Sequence, residues 1–220
     1  MRLDLAERLR CPRPHAATPL IVVAEQVEDR ELVAGVAGCP VCHLEARIDA
    51  EGVWFPEALG RLPDRSAAEQ DMMRAPVGDE DLQRTAALLG LAEPGGTVLL
   101  TGRYARFAER LAHEFDVAIV IVGAPPHGVA AGAGVYAGVY AVHLGGDAVP
   151  FTDHTFRAAA LDAVASEDAI RTVAVGGRIL GAWPLARPAT VKELARDERE
   201  WVGEREAPVR TVSIGRAKGG

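Results

Sequence analysis

The strongest constraint on folding lies in the middle of the chain. Between Asp116 and Asp147 there is no Asp, Glu, Lys or Arg. The run holds Pro125, Pro126 and seven glycines. Its most apolar part, Val117 to Val122, is too short to span a bilayer. Parallel strands covered on both faces read as unbroken apolar runs of this kind. The pattern therefore predicts two buried strands, Val117 to Val122 and Val139 to Leu144, joined by a glycine-rich loop. A membrane segment is the minor reading, and none is expected.

The flanking sequence alternates between helical and strand patterns. From Asp79 a helix places Leu82, Ala86 and Leu89 on one face. Pro94-Gly95-Gly96 ends that unit and leads into a strand, Thr97 to Leu100. A helix from about Arg103 to Phe115 follows, with apolar positions 104, 107, 108, 111 and 115. A short strand is expected over Arg157 to Ala163, and a helix over Ser166 to Val173 with Ser166 as its cap. Gly176-Gly177 reads as a turn into a strand, Arg178 to Trp183. Thr190 and Glu193 have capping-box spacing. They predict a late helix with Val191, Leu194, Ala195, Trp201 and Val202 inside and a charged outer face. Val209 to Ile214 closes the chain as a strand. Strands alternating with helices make an open, mostly parallel α/β sheet.

The first fifth of the chain has a different character. It carries all three cysteines, Cys11, Cys39 and Cys42. "CPVC" at 39–42 is a C-x-x-C knuckle, and "CPRPH" at 11–15 supplies Cys11 and His15. The β-rich runs Leu20 to Ala24 and Leu32 to Val36 lie between the two turns. Such a strand pair can bring Cys11, His15, Cys39 and Cys42 into the tetrahedron that zinc prefers. His43 competes with His15 for the fourth place. Three unrelated cysteines, or a ribbon that has lost its metal, is the bland alternative. Four protein ligands leave no open position, so such a zinc would be structural.

The chain thus divides into a small β-rich zinc ribbon (1–56), a polar linker (57–78) with a short helix at Ser66 to Arg74, and an α/β domain (79–220). Its 220 residues are 49% apolar, enough for a core. A net charge of −7 makes bulk nucleic-acid binding a poor fit. Charges at positions 2, 4, 7, 8 and 10 exclude the apolar core of a secretory signal, so a cytoplasmic location with reduced thiols is expected.

Two resemblances follow from these residues. "LAERLRCPRPH" with "GCPVCHLEARIDAEGVWF" resembles the small zinc-ribbon family that includes the tRNA-methyltransferase activator proteins. In that family a second cysteine stands where this chain has His15, one position later. The likeness implies a ribbon that could meet a protein partner. "LLGLAEPGGTVLLTG", "GGDAVPFTDHTFRAAALD" and "AIRTVAVGGRILGAWP", in that order, resemble class I S-adenosylmethionine-dependent methyltransferases. That implies a Rossmann-like sheet over roughly residues 79 to 185, with a tail too short for the family's final hairpin.

The family's cofactor contacts map unevenly onto this chain. An acidic residue followed by Gly-x-Gly-x-Gly is the family's first turn; here Leu100 takes the acid's place. Gly102 matches the first glycine, while Tyr104 and Arg106 stand at the other two. At the ribose position the second strand ends Val122-Gly123-Ala124 without an acid. Asp147 matches the residue that contacts adenine, although an Asp after Gly-Gly also caps turns. One of three contacts is kept, so S-adenosylmethionine binding is doubtful. Other candidates are bland. Gly132, Gly134 and Gly138 lack a P-loop lysine; Tyr136 and Tyr140 suit a core; His127, His143 and His154 have no paired nucleophile, and "RDEREWVGERE" suits a solvated helix face. Two readings stay open: a degenerate methyltransferase-like binding or scaffold module, and an active methyltransferase with an unconventional cofactor site.

Overall fold

A computed structural model describes residues 1–56, 76–123, 138–144, 148–162 and 166–207. Its centre is a parallel sheet built by the charge-poor runs. β5 (Thr97–Thr101), β6 (Ala118–Val122), β7 (Val139–His143), β8 (Phe156–Leu161) and β9 (Val173–Ala182) lie in the order β7-β6-β5-β8-β9, all parallel. Residues alternate between two cores. Val98, Leu100, Ile119 and Ile121 face one side, where α2 (Asp79–Leu89) and α3 (Ala108–Phe115) cover them. Leu99, Val120 and Ala159 face the other side, covered by α4 (Ser166–Thr172) and by the N-terminal segment. Burial on both faces is why β5, β6 and β7 contain no Asp, Glu, Lys or Arg.

The first fifty-six residues extend the same sheet. α1 (Leu3–Ala6) leads to the antiparallel strands β1 (Ile21–Glu28), β2 (Glu31–Gly38), β3 (Glu45–Asp49) and β4 (Gly52–Trp54). β4 then pairs in parallel with β7, Val53 opposite Val142. Leu5, Leu9, Cys11, Leu32 and Cys39 share one apolar core with Phe151, Phe156 and Ile170. The contact is also made by backbone: Arg10 N–H donates to Pro150 C=O (3.0 Å) and Thr152 N–H to Arg8 C=O (2.9 Å).

Three expectations change. No late helix starts at Thr190. Val191–Arg196 is β10 and Glu200–Arg205 is β11, an antiparallel hairpin whose β11 pairs with β9. The tail, expected to be too short for a final hairpin, therefore forms one. The cause is tertiary. Trp201 is 1% exposed and packs against Gly181 of β9, where a Cβ would stand 2.6 Å from its Nε1. A strand gives Trp201 that seat, and packing overrides the capping-box signal. Asp197 fixes the turn, its Oδ1 accepting from Arg199 N–H and Glu200 N–H at 2.8 Å each.

The other two changes are local. The helix expected from Arg103 begins as a 3-10 helix, Gly102–Phe107, and becomes α-helical at Ala108. Gly176, at φ +79°, sits in a bulge inside β9 rather than in a turn before it. Among the described residues, no helix is long and apolar enough to cross a membrane. The short helix at 66–74, the strand at 209–214, the Ser166 cap, His127, Gly132, Gly134, Tyr136 and Asp147 lie outside what is described.

Candidate functional site

Two places concentrate chemistry. The first is the Cys/His cluster. The ligand atoms of Cys11, His15, Cys39 and Cys42 all lie within 4.8 Å of one another. His15 Nε2 is 3.1 Å from Cys11 Sγ and 3.5 Å from Cys39 Sγ; Cys11 Sγ is 3.6 Å from Cys42 Sγ. These are the edges expected of a tetrahedron with metal–ligand bonds of about 2.0–2.3 Å. His15 Nδ1 lies 2.7 Å from Ala16 C=O. A proton on Nδ1 donated to that carbonyl leaves the Nε2 lone pair facing the sulfurs, the second contact that metal-binding histidines generally have. His43 stays outside the cluster; it sits at φ +55° with its N–H donating to Cys39 C=O.

The electrostatics of the cluster suit a cation. Burial pushes the Cys11 thiol up to about 12. Burial also opposes ionisation of Cys39, but the N–H groups of Cys42 and Val41 outweigh it and lower its pKa. For Cys42 burial is likewise outweighed, first by Leu44 N–H and then by the Cys11 thiol. Backbone N–H groups thus ease ionisation of two thiols, and burial opposes it at the third. The donor set fits a metal ion held by three sulfurs and one nitrogen. With all four corners taken by protein, such an ion has no free face for substrate.

The second place is the top of the parallel sheet. The strand order reverses between β5 and β8, and ligands of open α/β sheets bind outside the carboxyl ends of strands at such a switch point. Gly102 stands there, at φ +53°. Its neighbour across the switch is Asp162, the residue after β8. Asp162 Oδ2 accepts from Arg103 N–H (2.9 Å), and Oδ1 accepts from Arg103 Nη2 (3.2 Å). Asp162 N–H in turn donates to Thr101 Oγ1 at 2.9 Å. Arg103 and Asp162 therefore brace each other across the crevice. Beside them, Tyr104 is 1% exposed and its hydroxyl donates to Glu200 Oε1 at 2.8 Å. Burial first, and then that bond, push its pKa well above the ordinary tyrosine value.

Sequence reasoning did not single out Asp162. A signal existed: an acid placed immediately after a buried strand, at its carboxyl end. His143 is buried and stacks on Trp54, ring centroids 3.8 Å apart. Tyr140 donates its hydroxyl to Glu31 Oε1 at 2.7 Å, and Arg205 Nη1 lies 3.1 Å from His154 Nδ1. These three have structural partners.

The strand order and the switch-point crevice define an α/β protein of Rossmann-like class. No protein-family profile matches the chain, and no curated protein matches it either. Solved structures with a similar fold include TrmN from Thermus thermophilus (15% identity, 62% of this chain, 52% of that one, TM-score 0.45). An RNA methyltransferase from Salinibacter ruber, in complex with S-adenosyl-L-homocysteine, has 15% identity over 62% of this chain and 97% of its own, TM-score 0.45. The [4+2]-cyclase SpnF has 19% identity over 55% of this chain and 51% of its own, TM-score 0.41. The chain thus spans about half the length of two of these three proteins. The fold assignment itself rests on the strand order.

Proposed function

We propose that this is a methyltransferase-like protein whose switch-point crevice no longer serves S-adenosylmethionine, and which acts as a binding or scaffold module stiffened by a structural zinc ion. One observation carries the reading. The Arg103–Asp162 brace occupies the space above Gly102, where a cofactor needs close approach to backbone. The missing acids point the same way: Leu100 leaves the cofactor's amino group without its usual partner, and the acid-free end of the second strand, Val122-Gly123-Ala124, leaves the ribose hydroxyls unpaired, at about 1–3 kcal/mol for each buried group.

Calorimetric titration of the full, metal-loaded chain with S-adenosylmethionine tests this. The expected result is no binding at millimolar ligand; micromolar binding overturns it in favour of an active methyltransferase with an unconventional site. Zinc is supported by the three-thiol, one-imidazole donor set. Elemental analysis of protein purified without added metal is expected to find about one zinc per chain. A different resident metal, or none, removes that part.

A further inference from the structure

The side chains at two of the family's glycine positions open a different site. Tyr104 and Arg106, with Arg103, line one wall of a cavity of about 390 Å³. Its other walls are α2 (Arg84), the residue after β9 (Trp183) and the β10–β11 turn (Arg199). A cavity of this size holds a small organic molecule.

The charges are unevenly satisfied. Glu200 is saturated: Oε1 accepts from the Tyr104 hydroxyl, and Oε2 pairs with Arg84. Arg84 is also held by Asp197 (2.6 Å), and Arg103 by Asp162 (3.2 Å). Two guanidiniums keep spare donors. Arg106 comes no closer than 3.8 Å to Asp81, so its Nη groups hold only a long ion pair, while its Nε is buried and out of a ligand's reach. Arg199 is exposed, and among the described residues its side chain takes part in no ion pair, so it is free to turn toward a ligand. The remaining acids in the wall are well hydrated: the Asp81 side chain is 57% exposed and Glu198 is exposed, whereas the Arg106 side chain is 21% exposed. Water screens an exposed carboxylate more than a half-buried guanidinium. An anion therefore finds unspent donors here. Beside them Trp183, 56% exposed, offers a flat apolar ring.

We infer that this cavity binds a small aromatic acid, its carboxylate or phosphate held by Arg106 and Arg199 and its ring stacked on Trp183. The site adjoins the switch-point crevice and shares Arg103 with it, but its two anion-holding arginines and Trp183 take no part in the Arg103–Asp162 brace through their side chains.

Phenyl phosphate and benzoate serve as probes of the full chain, with inorganic phosphate and phenol as the two halves. Trp54 and Trp201 are 8% and 1% exposed, so a fluorescence change on titration reports mainly on Trp183. At least one aromatic acid is expected to bind, and both halves to bind at least about tenfold more weakly. Arg199→Ala is expected to weaken binding about tenfold, the usual scale for a charge-assisted hydrogen bond. Arg106 stacks on Phe107, so Arg106→Lys accompanies Arg106→Ala in case the latter unfolds. Trp183→Ala, which removes the fluorescent reporter and is therefore read by calorimetry, should weaken the aromatic acids and leave inorganic phosphate unchanged. No binding of either acid at millimolar concentration overturns the inference. So does phosphate binding as tightly as phenyl phosphate, or affinity unchanged in Arg199→Ala and Trp183→Ala.

Discussion

Asp162 stands directly over Gly102: a Cβ on Gly102 would lie 2.5 Å from its Oδ2 and 2.8 Å from its Cγ. The glycine is needed twice, for its left-handed backbone at φ +53° and for this approach. Gly102→Ala is expected to destabilise the protein by about 2–3 kcal/mol, the sum of a left-handed alanine and local overpacking. In an Asp162→Gly background the same change should cost only the backbone part, about 1 kcal/mol. Denaturant melts of the four proteins in the cycle measure the coupling. Strict additivity would mean that the two residues do not share this space.

The metal cluster makes a prediction that separates two histidines. His15→Ala removes a ligand and should lose the metal on mild chelation, while His43→Ala should retain it. Cys11 and Cys39 belong to the same apolar core as Phe151 and Phe156. Metal loss is therefore expected to lower the melting temperature of the whole chain and not only of residues 1–56. Elemental analysis and thermal melts with and without chelator check both points. Equal metal retention in the two variants would count against the cluster as the binding site.

What was readable in the sequence is what local pattern encodes. The run free of Asp, Glu, Lys and Arg pointed to β6 and β7, because strands covered on both faces read as unbroken apolar stretches and its prolines and glycines argue against one long helix. Cys11, His15, Cys39 and Cys42 were readable because soft ligands at short spacing are rare by chance. The rest depends on distant partners. Asp162 acquires its role from Arg103, 59 positions away. β4 joins the two halves through Val53 and Val142, a pairing that no local period announces. In the segment after Thr190, capping-box spacing favoured a helix, and Trp201 settled the matter only by meeting Gly181.

That contact gives the third prediction. Gly181→Ala would force a Cβ to within 2.6 Å of Trp201 Nε1, whose N–H donates to Leu185 C=O at 2.8 Å. The ring cannot move without giving up that bond. Gly181→Ala should therefore cost about 1–3 kcal/mol by overpacking, and Trp201→Ala about 3–5 kcal/mol by leaving a cavity. Urea midpoints measure both. A neutral Gly181→Ala would be inconsistent with the β9–β11 pairing.

The turn between β10 and β11 supplies a pH test. Asp197 accepts from two backbone N–H groups and from Arg84 Nη2 at 2.6 Å. The backbone bonds first, and the Arg84 charge after them, hold its carboxyl below the ordinary value. A folded-state pKa lowered in this way stabilises the protein above the unfolded value, about 3.9, and the gain is lost as pH falls through the folded value. Asp197→Asn keeps an oxygen for the backbone donors and removes only the charge. The wild type should therefore be more stable than Asp197→Asn at pH 7 and pH 5, with the gap closing below about pH 4. The side chain is 49% exposed, so the gap should be under about 1 kcal/mol. Urea midpoints at pH 7, 5 and 3 follow it. A gap that persists unchanged at pH 3 would assign the effect to lost geometry instead of lost charge.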